Sequence, residues 1–99
     1  MLVLTRRIDE TIEIGDLVEI RLIEANEEEM RLVIRFLKME CPSLKITLNT
    51  NQSVEIGDQI TVMAVLCSGH HTRIGVTAPP DVPIIRGETR LPSEIGDSG

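Results

Sequence analysis

The sequence has almost no aromatic residues: Phe36 is the one phenylalanine among 99 residues, and tyrosine and tryptophan are missing. The core must therefore be aliphatic, and the stacking platforms on which many single-strand binders hold bases are not available. Positive charge is also scarce. Ten lysines and arginines face sixteen aspartates and glutamates, a formal charge of −6. That excludes nonspecific nucleic-acid binding driven by bulk charge but leaves room for a local basic site. The two cysteines, Cys41 and Cys67, lack the spacing of a metal or redox pair and are expected to be buried small hydrophobes in a reduced protein. There is neither a signal-like leader nor a long apolar run, so a cytoplasmic protein without a membrane segment is expected.

What is present is enough apolar residue, 41%, for a folded domain, and an internal repeat. Glu13-Ile14-Gly15-Asp16 recurs as Glu55-Ile56-Gly57-Asp58, an offset of 42 residues. At the same offset Thr5 meets Thr47, Val18 and Ile20 meet Ile60 and Val62, and Arg31, Leu32 and Ile34 meet Arg73, Ile74 and Val76. Two copies are too few for a solenoid and suit a pseudo-two-fold body in which each half covers the other's apolar face. The copies join at Leu44–Lys45 without a Gly/Ser linker, which fits interleaved halves better than two separate beads.

Each copy has the pattern of strands. Val18, Ile20 and Leu22 alternate with Glu19, Arg21 and Ile23, the period of a half-buried antiparallel strand. The Gly-Asp pairs at 15–16 and 57–58 predict turns, as do 26–29 and 68–71. Strands are expected over 30–37 and 72–78, and a last one over 82–86 that Pro83 confines to a sheet edge. No segment has helical periodicity, and the last ten residues are expected to fray.

Met1 to Asp16, with its Leu-Thr-Arg-Arg followed by Ile-Gly-Asp, resembles the opening of the carbon storage regulator family (CsrA/RsmA). Its clear departure is Asp9, where the family has glycine. Arg73-Ile-Gly-Val, Ala78-Pro79, Val82, Arg86 and Glu88 resemble the family's second half. Family members are short chains that form intertwined β dimers and bind GGA elements in RNA hairpin loops, often over ribosome-binding sites. The resemblance implies an all-β fold: two fused five-stranded repeats, 1–43 and 44–91, intertwined into one pseudo-two-fold β-sandwich or barrel, with a flexible tail at 92–99. The family's C-terminal helix is expected to be absent or vestigial, since Pro92 and a short polar stretch stand in its place.

In the family the RNA site lies where the first strand of one protomer meets the last strand of the other. The residues this implies here are Leu4, Thr5, Arg6 and Arg7 from the first strand, with Ala78, Pro79, Val82, Ile84, Arg86 and Glu88 from the last segment. Adjacent residues on a strand point to opposite faces, so one of Arg6 and Arg7 can be structural. The second composite site is expected to be degenerate, because Leu48 and Asn49 match Arg6 and Arg7, and Leu44 matches Arg86. The implied protein is an RNA-binding translational regulator with one site per chain, a monomer that mimics a homodimer, needing no cofactor. A protein antagonist is a possible partner. The competing expectation is a protein-interaction module, a decoy or antagonist in the same pathway. It is motivated by the −6 charge, Asp9, Pro83, and Gly87 where the family tends to be acidic.

Other features carry less. His70-His71 could bind a metal, but adjacent side chains in a turn point apart and no third ligand is evident, so turn solvation is expected. Glu24 and Glu27 to Glu29 are expected to be a solvated acidic loop. Glu94-Ile-Gly-Asp97 repeats the turn string a third time. No nucleophile–base set, phosphate loop or metal spacing is present, so no enzyme is expected.

Overall fold

The computed structural model describes residues 1–87. Glu88, the third turn string at 94–97, the tail and the position of the family's C-terminal helix lie outside the described residues. Nine strands follow in chain order: β1 (Leu2–Arg6), β2 (Thr11–Ile14), β3 (Val18–Ala25), β4 (Glu29–Phe36), β5 (Leu44–Asn49), β6 (Ser53–Ile56), β7 (Ile60–Leu66), β8 (Thr72–Thr77) and β9 (Ile84–Arg86). They form two antiparallel sheets, β1-β8-β7-β6 and β5-β4-β3-β2-β9. This is the all-β, two-sheet class that the sequence predicts.

The halves exchange strands. β1 of the first half ladders on β8 of the second, β5 ladders back on β4, and β9 ladders on β2. Neither half could close a sheet alone, which accounts for the tight junction. Strand alternation sets the core. Leu4, Ile12, Ile14, Val18, Ile20, Leu22, Met30, Leu32 and Ile34 from the first half meet Leu48, Ile60, Val62, Ala64, Cys67, Ile74 and Val76 from the second. All are aliphatic or sulfur-bearing, and Phe36 packs from the margin. Cys67 is buried as expected; Cys41 is not, because it lies on the exposed connection 37–43, where no sheet face covers it.

Backbone features recur at the same 42-residue spacing as the sequence. The β3–β4 ladder slips between Leu22 and Glu24, and the β7–β8 ladder between Ala64 and Leu66. Asn26 Oδ1 accepts from the N–H groups of Glu28 and Glu29, while Ser68 Oγ accepts from those of His70 and His71. Asp9 and Asn51 sit at φ 73° and 75°. Their N–H groups donate to Leu22 O and Ala64 O, each at 2.6 Å. Left-handed backbone favours glycine and, after it, Asn and Asp. The departure at Asp9 is therefore one the local backbone accommodates, and Asn51 makes the same choice in the second half.

The halves differ in one respect. The first half has four strands where five are expected, because 37–43 turns from β4 straight into β5 within one sheet. In the second half, 78–83 instead crosses from β8 to the other sheet and delivers β9 onto β2. There Gly15 (φ 57°) donates its N–H to Pro83 O at 2.7 Å, and a Cβ on Gly15 would lie 3.0 Å from Val82 Cγ1. Gly57 has φ 66° and, among the described residues, nothing within 4 Å of its Cβ position. Gly15→Ala and Gly57→Ala should each lose about 1–2 kcal/mol from left-handed strain. Gly15→Ala should lose measurably more, because it also pushes on Val82. Urea unfolding of the two variants checks the order.

Candidate nucleic-acid interface

β1 is the edge of one sheet and β9 the edge of the other, and both end beside Thr11. Along β1 the side chains alternate: Leu4 and Arg6 point inward, Thr5 outward, and Arg7 just beyond is exposed. The Arg6 side chain is only 3% exposed. Its Nε donates to Thr5 O at 2.7 Å, its Nη1 donates to Thr11 O at 3.2 Å, and Glu10 Oε1 lies 3.8 Å from Nε. A buried guanidinium must be paired, and these acceptors provide that. Of the two adjacent arginines Arg6 is thus the structural one: it ties the end of β1 to the start of β2.

Arg7 follows in the turn, where its backbone N–H donates to Glu10 Oε1 at 2.7 Å and its carbonyl accepts from Glu10 N–H at 3.0 Å. The turn directs the Arg7 side chain outward, where it lines a shallow pocket with Ile8, Gly69, His70 and His71. The two histidines, expected only to be solvated in a turn, therefore flank a cation of the candidate site. On the other edge, Ile12 is opposite Arg86 and Ile14 opposite Ile84. Arg86 is exposed; Ala78, Val82 and Ile84 are half-buried and pack against the core, and Pro79 is half-buried too. Gly87 is buried, and a Cβ there would collide with Thr11 Oγ1. This close approach explains why a longer acidic residue does not stand at Gly87. It also brings the end of β9 onto the residue whose carbonyl holds Arg6.

A further cation was not foreseen. Arg73 lies opposite Thr5 on the β1–β8 ladder and is exposed. Its counterpart in the other half, Arg31, is bound to Glu24 Oε1 at 3.0 Å. The residue matching Glu24 is Leu66, and no ion pair to Arg73 occurs among the described residues. Comparing positions 24 and 66 across the repeat was the signal in the sequence that could have found it.

On the opposite side of the body β5 stands where β1 stands here. Leu48 fills the interior position of Arg6, 6% exposed, with its carbonyl accepting from Cys67 Sγ at 3.8 Å. Asn49, in the place of Arg7, donates from Nδ2 to Glu28 O at 3.0 Å, and Leu44 is exposed. Among the described residues no last strand arrives beside β6, so that side lacks the second edge and the counterparts of Arg7 and Arg86, while Lys45 is exposed on β5.

Two antiparallel sheets with strands exchanged between the halves, and a cationic corner where the first and last strands meet, define the class: a small, strand-exchanged all-β protein. The model of the CsrA family, described as the global regulator protein family, matches residues 1–38 and again 44–92. The chain belongs to this family, which is one of regulators rather than enzymes. The translational regulator CsrA of Geotalea uraniireducens (strain Rf4) is 42% identical over 48 residues, 48% of this chain and 61% of that protein. The match thus spans less than two thirds of that relative. No solved structure matches. No helix among the described residues is long and apolar enough to cross a membrane.

Proposed function

We propose that this chain is a sequence-specific RNA-binding regulator of translation that grips a GGA-containing hairpin loop at one composite site. The observation that carries the reading is the asymmetry between the two sides. Arg7, Arg73 and Arg86 are exposed around the meeting of β1 and β9, whereas the equivalent side has Asn49 and Leu44 in the places of Arg7 and Arg86, binds Arg31 to Glu24, and presents Lys45 from β5. In this reading 1–43 and 44–91 are two fused family units in one domain, acting as a monomer in place of a dimer.

The chemistry suits a loop. Unstacked bases expose their edges, and a strand edge offers backbone donors and acceptors in a fixed row. An arginine fork can take guanine O6 and N7 together or hold a phosphate. Leu4 and Arg6 act from beneath, fixing the strand that carries Thr5 and Arg7. Val82 and Ile84 seat β9 so that Arg86 faces out. A protein held over a ribosome-binding site represses by occlusion; no catalytic step is needed.

A GGA hairpin should bind saturably, and the same hairpin with the GGA replaced should bind at least tenfold more weakly. Affinity should fall steadily as salt rises, since phosphate contacts release counterions. Equal binding of both hairpins would sink the sequence-specific reading. Complete indifference of the folded protein to RNA would favour the second reading, a protein-interaction module in the same pathway, to which the −6 charge gives support.

A further inference from the structure

β2 and β6 are near copies, Thr11-Ile12-Glu13-Ile14-Gly15 against Ser53-Val54-Glu55-Ile56-Gly57. On its inner side each ladders with the next strand in the chain. On its outer side β2 receives β9, with Ile12, Glu13 and Ile14 opposite Arg86, Ile85 and Ile84. β6 is the end strand of its sheet. Peptide groups alternate sides along an antiparallel strand, and the Gly15 N–H points at β9. In the matching frame, Ser53, Glu55 and Gly57 direct their N–H and C=O groups outward. Among the described residues no backbone hydrogen bond outside the ladders reaches these three.

The side chains are in the same state. Ile12 and Ile14 are both 0% exposed under β9, while Val54 and Ile56 remain half-buried. Where Val82 packs against Gly15, no atom of the described residues lies within 4 Å of the Cβ position at Gly57. Beside it, Leu17, Phe36, Met39, Ile56 and Ile60, with Lys38, line a largely apolar groove of about 290 Å³. The side chain of Met39 at its rim is largely exposed, at 64%. An edge with unpaired peptide groups and an apolar margin is a template for another strand.

We propose that the β6 edge is a docking site for an extended segment of a partner protein with the chemistry of β9: apolar residues to cover Val54 and Ile56, and a Lys or Arg near Glu55. The β2–β9 pair within this chain shows that an edge of this sequence accepts Ile-Ile-Arg. Charge selects the occupant. Residues 52–59 contain Glu55 and Asp58 and no cation, and Lys38 in the adjoining groove lies 3.9 Å from Asp16, so a second copy would bring like charges together along the strand and RNA phosphates would be repelled there. A cationic strand is complementary. This inference is independent of the RNA site.

The test titrates the isotopically labelled full chain with a synthetic peptide of residues 79–87, followed by amide chemical shifts. The expected result is saturable binding, with shifts at 53–57 and at Leu17 and Met39. Glu55→Pro removes an outward N–H and spares the β6–β7 ladder, so it should weaken binding at least tenfold. Glu55→Lys, which reverses an exposed charge without touching the ladder, should weaken it several-fold; it decides the matter alone if the proline variant does not fold. The proposal is overturned by no saturable binding, by shifts at 11–15 that report displacement of β9, by undiminished binding in the variants, or by sedimentation showing copies paired through β6.

Discussion

Arg86→Ala should weaken binding of a GGA hairpin about 10- to 100-fold. Arg86 is exposed on a three-residue edge strand, opposite Ile12. A bidentate arginine contact to guanine carries about 1–3 kcal/mol of discrimination, and each 1.4 kcal/mol is tenfold in affinity. The chain itself contains the control. Lys45 is an exposed cation on β5, the strand of the degenerate side, so Lys45→Ala should change affinity by less than twofold. Equal losses in the two variants would mean that the cations act only through net charge. Arg73→Ala belongs between them, because Arg73 is exposed on the retained side but lies one strand in from the edge.

The second large effect is on stability. Ile14→Ala should destabilise the protein by about 3–4 kcal/mol, within the usual range for emptying a buried isoleucine site. For 99 residues the whole stability is about 5–15 kcal/mol, so this is a large share. Ile56 matches Ile14 across the repeat but is half-buried at the open edge, and Ile56→Ala should cost roughly half as much. Denaturant unfolding of both variants tests whether β9 is what makes the two edges unequal. Similar losses would show that β6 is covered as completely as β2.

Much of this fold was legible because the repeat keeps one register. Alternation over 18–23 gave β3, and the two Gly-Asp pairs marked turns that the positive φ at Gly15 and Gly57 now explain. The Pro83 restriction held in a specific way: β9 begins at Ile84, and the Pro83 carbonyl accepts from Gly15. What was not legible depended on contacts between halves. Local sequence says that Arg6 and Arg7 diverge, but only the Thr11 carbonyl and the closing sheet decide that Arg6 is the buried one. Counting strands by analogy gave five in the first half, whereas 37–43 must lead into β5 in its own sheet and so does not cross to the other sheet as 78–83 does. Arg73 and the histidines beside Arg7 were missed for the same reason: only the β1–β8 ladder brings them to that corner.

A chain with one proposed RNA site in place of two is tested most directly by the number of hairpins it binds. Calorimetric titration of the full chain with a GGA hairpin, with mass measured by light scattering, gives that number whatever the oligomeric state. One hairpin per chain is the predicted result. Two equivalent hairpins per chain would contradict it.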